Sequence, residues 1–176
     1  KKRRASLKTG ILLDSNKIFV PGKLAFGSKT IDIKARLKGD QSDHFSTMKW
    51  SFRIQCTGGE QWNNMQEFSI QSPNTRGNLL EWIFHKTLEK QDILTPRYGF
   101  VNLVFNNKNL GVYAYEEHFS NDFLNDRNLP LSPIMQFDER KMWEVRNANN
   151  GKDGDFPVFE NAEITCYNRK EFKSKK

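Results

Sequence analysis

Between Ile31 and Lys38 the chain alternates without a break. Ile31, Ile33, Ala35 and Leu37 interleave with Asp32, Lys34, Arg36 and Lys38. Residues two apart share a side of an extended chain, so this segment is a strand with one dry and one wet face. Such a strand needs pairing partners and a layer over its dry side, and the chain supplies them. Trp50–Gln55 alternates again and ends at Thr57-Gly58-Gly59, and Phe68-Ser69-Ile70 is a brief strand stopped by Ser72-Pro73-Asn74. Phe100–Phe105, a turn at Asn106–Asn109 and Leu110–Glu116 read as a hairpin. Between them Leu79, Leu80, Ile83, Phe84 and Leu88 recur at helical spacing. That predicts an amphipathic helix capped by Asn74 or Thr75 and ended before Pro96. The order of elements gives an α+β fold, an antiparallel sheet with one main packed helix.

At 176 residues the chain has the size of one domain. Its 14 Phe and 4 Trp exclude a disordered polypeptide, which lacks packing anchors. No apolar run approaches the ~18 residues of a membrane span. Residues 1–16 read as a basic lead, of which 1–10 is polar and mobile, 17–128 as the core, and 129–176 as a loop-rich extension. Within these, Ile11–Leu13 and Lys17–Val20 fit a small hairpin followed by a turn at Pro21-Gly22. Ser120–Asn125 starts a short helix capped by Ser120 or Asn121. Asn147–Gly154 is a loop, and Phe156–Ile164 holds a short strand.

The net charge of +7 is uneven: +8 over residues 1–40, −5 over 41–168 and +4 over 169–176. An acidic middle between basic ends does not describe a basic groove, so no specific nucleic-acid partner is expected. Binding through the basic ends alone is the weakest of the functional readings. Cys56 and Cys166 lack metal-ligand spacing and read as ordinary thiols. His44, His85 and His118 are scattered, and no glycine-rich phosphate loop is present. The strand faces carry more. Arg36, Lys38 and Arg53 project from polar sides of neighbouring strands, with Lys49 just ahead of the second, and cations so grouped suit a phosphate chain as well as a solvated face. Glu116 and Glu117 are adjacent in a strand and therefore point to opposite faces. One of them, if turned inward, needs a cationic partner.

Three strands, a helix, a hairpin and a polar segment at Glu116–Ser120 follow the order of a protein-kinase amino-terminal lobe. There, a strand lysine holds ATP phosphates and the helix carries its glutamate partner. The residues themselves resemble a family. Arg36-Leu37-Lys38-Gly39-Asp40, Met48-Lys49-Trp50-Ser51-Phe52-Arg53-Ile54, Arg76-Gly77-Asn78-Leu79-Leu80 and the long run Pro96–Glu117 are similar, in order and spacing, to segments of the spore coat protein H (CotH) kinase family. The last run follows that family's Pro-Arg-x-x-x-Val-x-Leu pattern and its Gly-(Val/Leu)-Tyr-x-x-x-Glu strand, with Asn106-Asn107 at the place of its Asn-Gly turn. The resemblance covers about residues 17–140.

The resemblance implies an atypical protein-kinase-like amino-terminal lobe that binds ATP with a divalent metal (Mg). In the complete protein it implies phosphorylation of Ser on secreted, cell-surface or spore coat proteins. By position Lys38 and Lys49 become the phosphate-side cations, Arg36 and Arg53 support them, and Glu116 and Glu117 lie near the nucleotide. Glu81, the acid of the helix core, is placed to orient a lysine. The family's catalytic and metal-binding aspartates lie in a carboxy-terminal lobe, which this chain is expected to lack. Alone it should not transfer phosphate, and none of Asp138, Asp153 or Asp155 is given a catalytic role. Met48 stands where the family has the first of two lysines, which points toward the alternative: a non-catalytic structural or protein-binding module of a surface or envelope assembly. The family's turn glycine is Asn107 here, a replacement the left-handed conformation tolerates.

Overall fold

The computed structural model describes residues 2–13, 17–150 and 162–168. In chain order its elements are α1 (Lys2–Thr9), β1 (Val20–Phe26), β2 (Lys29–Leu37), β3 (Phe52–Cys56), β4 (Glu67–Gln71) and α2 (Leu80–Glu89). After them come β5 (Tyr98–Phe105), β6 (Lys108–Glu117), α3 (Asn121–Asn125), β7 (Met135–Asp138), α4 (Arg140–Ala148) and β8 (Glu163–Cys166). They form two compact units. One comprises residues 18–39 and 43–118, the other residues 1–17, 40–42 and 119–176. The expected core of 17–128 therefore closes ten residues early, at His118, and the amino-terminal lead belongs with the carboxy-terminal part.

The first unit is a curled, antiparallel, six-stranded sheet in the order β1-β2-β3-β4-β6-β5. The α+β reading holds. Pro21 and Gly22 do not turn the chain but lie inside β1. Proline has no N–H for a ladder, and it is tolerated because β1 is an edge strand. Register puts Ala35 opposite Ile54 and Ile54 opposite Phe68, so the dry faces of β2, β3 and β4 coincide. Ile31, Ile33, Ile54, Met65, Phe68, Ile70 and Tyr113 make the core there. Trp62 covers it, with its ring 4.7 Å from Phe68 and edge-on to Tyr115 at 5.0 Å.

The β5–β6 hairpin turns on two residues rather than four. Asn106 and Asn107 have φ of 48° and 63°, the paired left-handed geometry that matches strand twist and suits asparagine.

The helix departs most from expectation. Pro73–Arg76 first forms a 3₁₀ turn, Gly77 reverses it at φ 64°, and α2 begins only at Leu80 without a side-chain cap. Thr75 instead donates its hydroxyl to Ser72 O at 2.8 Å. Leu79, Leu80, Ile83 and Phe84 are exposed, and the buried residue of α2 is His85. Its Nδ1 meets the Thr95 hydroxyl, and its ring stacks on Tyr98 at 5.2 Å. Anchoring through His85 turns the apolar stripe away from the sheet.

In the second unit the expected mobile lead is helix α1, followed by a buried Ile11 and Leu12. These do not form the expected hairpin. Ile11 bridges to Gln41, and Leu12 N donates to Asp40 O at 2.8 Å. Ser120 caps α3 through its Oγ, which accepts from Phe123 N, as expected. Helix α4 was not anticipated, and it takes in Asn147, the expected start of a loop. β7 and β8 pair antiparallel. β8 meets the carboxyl end of the expected Phe156–Ile164 strand. Residues 156–161, and with them the loop at Gly151–Gly154, Asp153 and Asp155, lie outside the described residues. No helix among the described residues is long and apolar enough to cross a membrane.

Candidate functional site

The wet face of the sheet gathers its ionisable groups by register. Arg36 pairs with Arg53, Arg53 with Ser69, Ser69 with Glu116, and Glu116 with Tyr98. Partners in an antiparallel ladder point to one face. The four antiparallel pairings therefore lay Arg36, Arg53, Ser69, Glu116 and Tyr98 in one row across β2, β3, β4, β6 and β5. Lys38 continues the same face beyond the end of β2, where its N donates to Ser51 O at 2.9 Å. Helix α2 packs on this face through the His85–Tyr98 stack.

Lys38 Nζ donates to Glu116 Oε2 at 2.6 Å and to Gln71 Oε1 at 3.0 Å. The pair is well shielded, with the Lys38 side chain 12% and the Glu116 side chain 25% exposed. Burial lowers the pKa of Lys38. Glu116 opposes that shift, while Arg53 and Arg76 add to it. Burial alone would raise Glu116, yet Lys38, Arg76 and Arg53 hold its carboxyl below the ordinary range. Next to this pair Arg53 Nη1 reaches Glu67 Oε1 at 3.3 Å, and Gln55 Nε2 donates to Glu67 Oε2 at 3.0 Å. Arg53 Nε is buried with no hydrogen-bond partner. His118 lies 3.7 Å from Glu67, which favours its charged form. Burial and the cations Arg53, Lys38 and Arg36 prevail, and its pKa is pushed down to about 2. Burial likewise raises the Tyr98 hydroxyl to about 12. Arg36, Lys38, Arg53 and Arg76 thus stand against Glu67, Glu81 and Glu116 on this part of the face.

The structure brings together four of the residues expected at a site: Arg36, Lys38, Arg53 and Glu116. Lys49 lies apart. Its Nζ donates to Val112 O at 3.1 Å, four residues along β6 from Glu116 and so roughly 13 Å away. Glu117 points to the other face, as alternation requires, and is 4% exposed. It is held by Arg97, whose Nη1 and backbone N each donate to its carboxylate at 3.0 Å. Glu81 faces His85 Nε2 at 3.5 Å instead of a lysine. The acid that meets the strand lysine comes from β6, not from the helix. Asp138 bonds Arg140, whose side chain and backbone hold its pKa below the ordinary range.

Sequence reasoning missed Gln71, Glu67, Tyr98, His118 and Arg76. For the first two a signal existed. Glu67, Ser69 and Gln71 alternate with Phe68 and Ile70, so β4 declares a second polar row. Gly39 is the other missed element. Its φ is +90°, and a Cβ there would stand 2.1 Å from the ring of His44, a buried residue whose Nδ1 lies 2.9 Å from Ser51 Oγ. The residue after Lys38 must be glycine for the strand end to lie against His44.

Chemically, the face can hold an anion. It offers the exposed Arg76 at the turn, backed by Lys38 and Arg53, whose shielded side chains are bonded to Glu116, Gln71 and Glu67. Among the described residues no group of three His, Cys, Asp or Glu could hold a metal ion. Both Cys56 and Cys166 are free thiols. No family model matches this chain, and no curated protein matches it.

Proposed function

We propose that the sheet unit is the nucleotide-phosphate-binding lobe of an atypical, CotH-like protein kinase, acting in the complete protein on Ser of secreted, surface or coat proteins. The observation that carries this reading is the Lys38–Glu116 pair set among surplus cations, with the Arg53 Nε–H unsatisfied. Phosphoryl-transfer lobes of protein kinases position phosphates with a strand lysine fixed by a glutamate; there the glutamate comes from the helix, and here β6 supplies it. The triphosphate of ATP fits these donors, with Arg76 at the rim and Lys38 and Arg53 deeper. The divalent ion that accompanies ATP has no ready cluster among the described residues. Its ligands and the catalytic aspartates belong to a further lobe in this reading. Lys49, set apart from Lys38, is not assigned to the phosphates.

The test is titration with a fluorescent ATP analogue at low salt, with and without Mg²⁺. Arg76→Ala removes an exposed cation without disturbing the core and should weaken binding roughly tenfold, the value of one charge-assisted hydrogen bond. Lys38→Met should weaken it at least as much. Absence of binding by the wild-type chain, or wild-type affinity in both variants, would overturn the reading.

One observation favours a second reading, a non-catalytic module that binds a protein in a surface assembly. Leu79, Leu80, Ile83 and Phe84 on α2, together with Ile93 and Leu94 after it, are exposed apolar side chains close in sequence. Solvated apolar clusters of this kind mark interaction surfaces. Under this reading Arg76→Ala leaves partner binding intact, and Leu80→Glu abolishes it.

A further inference from the structure

The face of the sheet opposite the cations is not filled. Between the inner sides of β1, β2 and β5 lies a cavity of about 540 Å³, lined chiefly by apolar side chains including Leu24, Ile33, Ala35, Trp62 and Leu103. That lies inside the ~300–1,000 Å³ range of small-molecule sites. Phe52 and Phe105 border this cavity and also a second hollow of about 170 Å³, which Trp50, Met48 and Leu110 complete. The two hollows adjoin along one trough, sharing Phe52 and Phe105, whose rings stack at 5.4 Å. Its far end carries a charge: Lys108, exposed and paired across the turn with Phe105, lines the second hollow.

We infer that this trough binds a free single-chain amphiphile, its saturated tail lying along β5 and its anionic head at Lys108. The elongated apolar lining recognises the tail, because a dry hydrophobic cavity gains from any apolar occupant. Lys108 and the neighbouring Asn106 and Asn107 recognise the head. One edge of the sheet argues against a peptide strand in the same place. β1 carries Pro21, which blunts strand addition at that edge, and a lipid-like tail requires no backbone hydrogen bonds. The site lies on the other face from the phosphate-binding residues and does not depend on their assignment.

Dodecanoate is the probe, titrated into the whole chain by calorimetry, with a brominated analogue to quench Trp62 on contact. One molecule should bind per chain, and the brominated acid should quench the wild type more strongly than Trp62→Phe, in which Trp50 is the tryptophan left beside the trough. Lys108→Glu changes only an exposed turn charge. It should weaken dodecanoate about fivefold, the scale of an exposed ion pair, and leave dodecanol, the neutral-headed control, unchanged. Ala35→Phe fills the cavity from a half-buried position and should abolish binding of both. Tm confirms that each variant is folded, and Leu24→Phe serves should Ala35→Phe not fold. The inference fails if dodecanoate does not bind, or if Lys108→Glu and the cavity-filling variant bind as the wild type does. Binding only to phosphatidylcholine–phosphatidylglycerol vesicles, without saturation by free acid, also overturns it, as does capture of a peptide that dodecanoate cannot displace.

Discussion

Replacing Glu116 by Gln keeps the shape of the side chain and removes one charge from a pair that water barely reaches. Lys38 is then left 12% exposed beside Arg53 and Arg76 with no carboxylate in contact. Breaking a buried pair from one side typically costs ~3–5 kcal/mol. A quarter of Glu116 is solvated, so the loss belongs at the low end, about 3 kcal/mol. The reverse change, Lys38→Met, leaves Glu116 near Arg53 and Arg76 and should cost less, about 1–2 kcal/mol. With both partners removed no charge is stranded, and the double variant should recover about 2 kcal/mol of the summed losses. Urea unfolding at constant m measures each corner of this cycle. The pH dependence gives a second check. The Glu116 carboxyl titrates below its unfolded value in the fold, so its contribution is complete above about pH 4.3 and is lost as pH falls through the folded pKa. The gap between wild type and Glu116→Gln should therefore narrow in acid. Additive single losses, or a gap that does not change with pH, would refute a shielded Lys38–Glu116 pair.

Two further outcomes follow from the same face. His118 stays neutral in the fold down to about pH 2, while the unfolded chain protonates it near pH 6.5. Stability from this residue is thus complete above ~6.5 and falls by about 1.4 kcal/mol per pH unit below it. Between pH 7 and 5 the wild type should lose about 2 kcal/mol from this group, and His118→Gln should remove that part of the slope. Gly39→Ala forces a left-handed residue to carry a side chain and drives it into the His44 ring. It should cost about 3 kcal/mol or more, read as a lowered Tm, whereas Gly58→Ala meets no atom within 4 Å and should show only the smaller backbone strain.

What could be read in advance was whatever depends on neighbours within a few residues. The alternation at 31–38 placed Arg36 and Lys38 on one face, and the same rule on β3 placed Arg53 there. Cross-strand register then made them neighbours. The left-handed Asn107 and the Ser120 cap are also local chemistry, and both stand as expected. Pro21-Gly22 has turn composition, yet the strand is an edge, and edge status is a property of the whole sheet. Helix α4 escaped because its buried residue is Met142 alone, too little for a stripe. Periodicity revealed that α2 has an apolar side but not which way it faces. The His85 anchor on Tyr98 decides that, and a histidine in an amphipathic pattern gives no notice of it.

Glu116 and Glu117 show how far one local rule reaches. Alternation alone separates them, and the two faces then give identical side chains different work. On the dry side Glu117 is buried; its carboxylate accepts from the Arg97 guanidinium and the Arg97 N–H, and its own N–H returns a bond to Arg97 O at 2.9 Å. It fastens the entry of β5 to the end of β6, so its worth is stability. On the wet side Glu116 meets Lys38, with Arg76 and the Glu67-paired Arg53 close by. A structural pair closes its own account of charge, as Arg97 and Glu117 do. The pair at Lys38 sits among further cations, Arg53 held by Glu67 and Arg76 exposed at the turn, and that asymmetry is what the proposed anion site rests on.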